Sequence, residues 1–188
     1  KIDKSNNVLK ANSPIIVNSR LWLKNGTLDP NNNSVSMANG SLLRRTAATA
    51  IMISAPTANT GDSYDMQYDT TMTTSNEFLN DQNKIRDLII MSGTLTLGGD
   101  KTINRHLKLS GDIDLGSFTL TDRGNNALST AAGNIEITSG NRSITGAAGS
   151  AFHITGSNGN NPSWYTKTVS NPGAGTLSFG NNITVKIG

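Results

Sequence analysis

Two histidines, a set of alternating aspartates, one acidic stretch and a few aromatic residues are the side chains of this sequence equipped for chemistry. His106 and His153 are the only histidines, and no His-x-Glu-x-x-His or comparable spacing supports zinc. Asp112 and Asp114 alternate, so a strand places both carboxylates on one face, bracketed in sequence by Asp100 and Asp122. Two such carboxylates could hold calcium at a coil edge or flank a sugar as acid and base. The Gly-anchored Asp-x-Asp-x-Asp loop of a calcium site is missing, as is a second cluster to complete a glycosidase site. The acidic stretch is Asp62, Asp65, Asp69, Glu77 and Asp81, where a polysaccharide lyase or hydrolase would find its carboxylates. No motif supplies the Lys or Arg base that a lyase needs. The reading is therefore not an enzyme, with no catalytic residue, metal or cofactor.

Binding and modification leave a short set of candidates. Tyr64, Tyr68, Trp164, Tyr165 and Trp22 are the aromatic residues able to stack on a glycan or meet a partner. Asp69-Thr70-Thr71 has the Asp-(Ser/Thr)-(aliphatic or Thr) form, which would make Thr70 an O-glycan attachment point only if the family resemblance described below holds. The Thr-x-Thr steps at Thr94/Thr96 and Thr119/Thr121 would suit an ice-binding face only as a flat array on successive coils. The first recurs only as Thr176/Ser178. It is set aside.

The elements that must position these residues are short strands. In residues 93–121, Leu95/Leu97, Leu107/Leu109, Ile113/Leu115 and Phe118/Leu120 fall in pairs two apart, broken by Gly, Asp, Asn and Ser. A helix repeats every 3.6 residues and cannot hold that pattern. Tyr64, Met66 and Tyr68 share a strand face, and Ile85–Met91 reads as a strand. The composition agrees: 35% hydrophobic, 5% aromatic and 15% charged, with 19 Gly, which is too lean for a thick central core but suited to an all-β chain with many corners. Cysteine is absent, which excludes disulfides and thiolate chemistry. The net charge of +3 includes no dense basic stripe, which argues against nucleic acid. The longest apolar run, Leu88-Ile89-Ile90-Met91, is too short for membrane insertion.

The sequence also repeats itself. Val17–Leu23 matches Ile103–Leu109 at an offset of 86, and Gly93–Gly98 matches Gly175–Gly180 at an offset of 82. The chain thus passes through units of approximately 1–92 and 93–174, then begins a third at 175–188. Each pass is long enough for several coils. We expect one continuous parallel β-solenoid over 1–188, with a β-sandwich as the runner-up and a lateral excursion possible at 46–80. Unpaired strand edges need covering, so each end is expected to join a neighbouring repeat or domain.

The order of motifs is also informative. It runs from Asn33-Ser34-Val35-Ser36-Met37-Ala38-Asn39-Gly40-Ser41 and Leu43-Arg44-Arg45 to Asp65-Met66-Gln67-Tyr68 and Thr73-Thr74-Ser75-Asn76-Glu77-Phe78-Leu79. It continues with Ile85-Arg86-Asp87-Leu88-Ile89-Ile90 and ends on Thr102-Ile103-Asn104-Arg105-His106-Leu107-Lys108-Leu109 through Thr121. In this succession, over about residues 15–155, the sequence resembles the β-strand-repeat regions of giant Bacteroidetes surface adhesins and gliding-filament proteins exported by the type IX system. It departs where those regions carry Thr-Thr-Gly and this chain has Thr73-Thr74-Ser75, and the tail from Ser157 matches poorly. The resemblance implies an extracellular, cell-surface stalk or filament segment with no catalytic residues. Its partners would be neighbouring repeats and surface polysaccharide. The alternative is a carbohydrate-binding or polysaccharide-degrading β-helix.

Overall fold

The computed structural model describes residues 1–81, 84–123, 134–154, 168–170 and 175–187. These residues form β-strands and turns, with no helix among them. The first sheet stacks β1 (Ile2–Lys10), β3 (Arg20–Asp29), β5 (Leu42–Arg45), β7 (Tyr64–Tyr68), β9 (Ile85–Ile90), β12 (His106–Leu109), β15 (Asn134–Ile137) and β18 (Thr168–Ser170) in that order. A short β6 (Ile51–Met52) pairs with β3 beside this path. The second sheet stacks β8 (Met72–Thr73), β10 (Thr94–Thr96), β13 (Asp112–Asp114), β16 (Arg142–Thr145) and β19 (Leu177–Phe179). The third holds β11 (Lys101–Ile103), β14 (Thr119–Asp122), β17 (Ala151–Ile154) and β20 (Thr184–Ile187), and a fourth pairs β2 (Ile15–Val17) with β4 (Val35–Met37).

Each described strand pair is parallel, and the chain visits the sheets in turn before returning one rung higher. That is a β-solenoid. Parallel neighbours cannot be joined by a tight hairpin, so the rest of each coil serves as the crossover.

The alternation in sequence becomes inside and outside. In β7 Tyr64, Met66 and Tyr68 face inward, and Asp65 and Gln67 face out. In β12 Leu107 and Leu109 are buried between outward His106 and Lys108. Leu21, Leu43, Met66, Leu88 and Leu107 are successive partners in register, separated by 22, 23, 22 and 19 residues. The 86-residue offset seen in the sequence is therefore four coils. The 82-residue match lies differently: Leu95 stacks through Ile113 and Ile144 to Phe179, two residues beyond its sequence counterpart Leu177. A shift of two preserves which face is inward, so the pattern survives it.

Residues 46–80 are not a lateral excursion. β7 is a rung of the first sheet, β8 begins the second, and Thr57 bridges in parallel to Ser36. The reason is burial: Met52, Tyr64, Met66, Tyr68, Met72 and Phe78 all lie in the core and hold the segment in the wall. Extra length enters later. From Leu107 to its partner Ile135 is 28 residues, and from Ile135 to Val169 is 34. Much of that length falls in sequence between β14 and β15 and between β17 and β18.

Candidate functional site

Among the described residues, the inward side of the first sheet carries one charged residue among its apolar neighbours. Arg45 stands in register between Leu23 and Tyr68, where an aliphatic side chain would be expected, and is 1% exposed. Its guanidinium donates to the Thr73 and Ala48 carbonyls at 3.0 and 2.9 Å and to Glu77 Oε1. That oxygen also accepts the Tyr68 hydroxyl at 3.0 Å and the Ser75 amide at 3.0 Å. Glu77 is fully buried, and its other oxygen and Arg45 Nε have no hydrogen-bond partner among the described residues. Nearby, Lys101 Nζ donates to the Phe78 carbonyl at 2.7 Å and lies 5.3 Å from the centre of the Phe78 ring. Burial pushes the Lys101 amine down and the Tyr68 hydroxyl up. The cluster ties β5 to the segment after β8 from within the core.

Outside, the first sheet bears a ladder of ion pairs. Arg86 donates to both oxygens of Asp65 at 2.7 and 2.6 Å, and Arg105 does the same to Asp87 at 2.7 and 2.6 Å. The two pairs are linked by a β-bulge. Tyr64 pairs with Ile85 but Met66 pairs with Leu88, so Arg86 and Asp87 together oppose Asp65. Adjacent residues thus reach in opposite directions and join three coils. His106 Nδ1 lies 3.5 Å from Asp87, which explains its position on the outer face without a metal. Burial pushes the Asp87 carboxyl up, but hydrogen bonds from Arg105 and His106 outweigh it and hold the group well below the usual carboxylate range. An unfolded Asp titrates near pH 4. Asp87 therefore stabilises the fold fully above about pH 4, and that contribution falls as pH drops toward its folded value. Acid titration of Asp87→Asn, followed by circular dichroism, is expected to show a weaker loss of stability below pH 4 than the parent.

The remaining acidic candidates also have structural partners. Asp69 accepts from Arg44 Nε at 2.8 Å and from Gln67 at 2.7 Å. Asp112 accepts from the Ser143 amide and hydroxyl, Asp114 from the Gly116 amide, and Asp100 from the Thr119 amide. No group of three or more potential metal ligands occurs among the described residues. The second sheet does align Thr73, Thr96, Asp114 and Thr145 in one outward column, so its hydroxyl rows are broken by carboxylates.

The aromatic candidates divide sharply. Tyr64 and Tyr68 are fully buried, the hydroxyl of the first 3.5 Å from the Glu77 carbonyl. They cannot stack on a glycan, because their rings fill the column inside the coil. Trp164 and Tyr165 lie outside the described residues. Trp22 is the partly exposed member of the set, on the outer face of β3. Thr70 is half-buried at the corner between β7 and β8, beside exposed Thr71, whose hydroxyl accepts the Thr94 amide. Arg45 was hidden in the sequence as half of a basic pair; the one available signal was its even spacing from inward Leu43.

None of the family models, curated proteins or solved structures compared with the chain matches it. Fold and geometry carry the functional argument.

Proposed function

We propose that the chain is a structural repeat module of an extracellular bacterial filament or adhesin, a stiff cell-surface stalk used for attachment or gliding. One observation carries the reading: three interior columns end on exposed apolar side chains. Leu9 is the first inward partner of buried Leu28 and is 38% exposed. At the other end Phe179 and Val185, partners of buried Ile144 and Phe152, are 39% and 40% exposed. These are the surfaces that a further coil would cover. Stability in such a stack is approximately a sum of coil and nearest-neighbour terms, so it extends without needing a centre. The resemblance to type IX-exported repeat regions and the Thr70 acceptor motif point the same way.

Immunogold labelling of the source cells with antibodies against this chain is expected to decorate surface fibres. Label confined to the cytoplasm would rule the proposal out. Incubation with acidic and neutral polysaccharides is expected to release neither reducing ends nor unsaturated sugars. Release that disappears in Asp65→Asn or Asp112→Asn would replace the stalk with an enzyme.

A further inference from the structure

We propose that the outward face of β3, with the coils on either side, is a docking surface for an anionic polysaccharide. Arg20, Trp22 and Lys24 alternate along β3 and so share its outer face. Parallel register sets Arg44 of β5 beside Trp22, with its guanidinium 4.8 Å from the ring centre. From the coil on the other side, Lys1 Nζ lies 5.4 Å from the same centre. Residues scattered over 44 positions of sequence become one outward patch of four cations, two of them against the indole.

The nearby carboxylates do not balance it. Asp3 is shared by Lys1 and Lys24, each at 3.1 Å, and also accepts from Asn25. Asp69 answers Arg44. Arg20 is exposed and has no ion-pair partner among the described residues. Four cations face two carboxylates, and Arg20 carries the surplus outermost.

Trp22 has a defined part in this arrangement. Its Nε1 donates to Thr46 Oγ1 at 3.2 Å, and the ring is flanked by cations from both adjacent coils. It therefore acts as a spacer that holds Lys1 and Arg44 in place, not as an open platform for a base or a sugar ring. Recognition falls to charge. Alternate residues of a strand are about 6.7 Å apart and neighbouring coils about 4.8 Å, so a polymer with an acid group on each sugar meets several cations at once. The second sheet, with Asp112 and Asp114 outward, would repel the same polymer, which makes the rod one-sided.

Calorimetric titration of the whole chain with polygalacturonate tests the proposal. Binding is expected in 20 mM salt and should weaken by about tenfold or more in 200 mM, as counterion release requires. Arg20→Ala combined with Lys24→Ala should weaken it by a further factor of about ten, and exposed Arg20→Gln alone should act in the same direction. Asp112→Asn should leave it unchanged, and circular dichroism confirms that each variant folds. No binding in 20 mM salt would overturn the proposal, as would undiminished binding by the folded Arg20→Gln protein. Tighter binding of a single-stranded DNA of equal charge would show instead that the face serves nucleic acid.

Discussion

Glu77→Ala is expected to lower the free energy of unfolding by about 3–5 kcal/mol, the range for removing one member of a buried ion pair. The loss comes from what remains. Arg45 is 1% exposed and has no route to water, so its charge would stay in the core with only the Thr73 and Ala48 carbonyls to accept from it. The Tyr68 hydroxyl and the Ser75 amide would each lose their acceptor as well. The double replacement Arg45→Met with Glu77→Leu separates the charge from the space it occupies. With the Arg45 charge gone as well, it is expected to lose about 1–3 kcal/mol, less than the single variant, because the Tyr68 hydroxyl and the Ser75 amide still lack their acceptor while no unpaired guanidinium stays buried. Urea denaturation of the three proteins measures both values. Similar losses in the single and double variants would mean that packing, and not charge, makes the site sensitive.

Gly111→Ala should be a damaging single-methyl change in the solenoid, at about 1–3 kcal/mol or more, as for other additions to a packed interior. Gly111 opens the corner before β13 and lies directly over the preceding coil. A Cβ there would come within 2.4 Å of the Gly93 carbonyl oxygen and 2.9 Å of the Ser92 carbonyl carbon. Both are backbone atoms, and neither can move without shifting its own coil. The Gly93 oxygen also accepts the Asp112 amide at 2.8 Å, so moving the coils apart weakens a rung of the second sheet. Gly99 is the internal control. Nothing lies within 4 Å of its added methyl and its φ is not in the left-handed region, so Gly99→Ala should be neutral or stabilise by up to about 1 kcal/mol through the unfolded chain. Equal melting temperatures for the two variants would show that coil spacing tolerates the insertion.

The solenoid was legible because its local rule is simple. The paired Leu and Ile steps from Leu95 to Leu120 specify inward faces two residues apart, and Gly93 and Gly111 mark where a wall turns. The contents of each column were harder to read, because they depend on neighbours in other coils. Coils of 19, 22 and 23 residues keep no fixed period, so the stacking of Trp22 on Arg44 cannot be obtained from spacing alone. Arg44 and Arg45 looked alike as a basic pair, yet one faces Asp69 outside and the other Glu77 inside. Tyr64 and Tyr68 were placed correctly on one face with Met66, but an alternating strand does not declare which face meets water. The bulge at Arg86–Asp87 left no trace in the apolar pattern beyond adjacent Leu88 and Ile89, although it determines which carboxylate each arginine reaches.

The close stacking of the coils also stores contour length. A coil of 22 residues, such as that from Leu21 to Leu43, takes up about 4.8 Å of the axis but about 75 Å when drawn out straight. A pull along the axis opens the rungs of an end coil one after another instead of shearing many together, so a coil can unwind while the rest stays wound. Each coil surrendered lengthens the molecule by about fifteen times the axial length it had occupied. A stack of this design would yield by pay-out under a sudden load and shorten again by rewinding onto the template of the coil below.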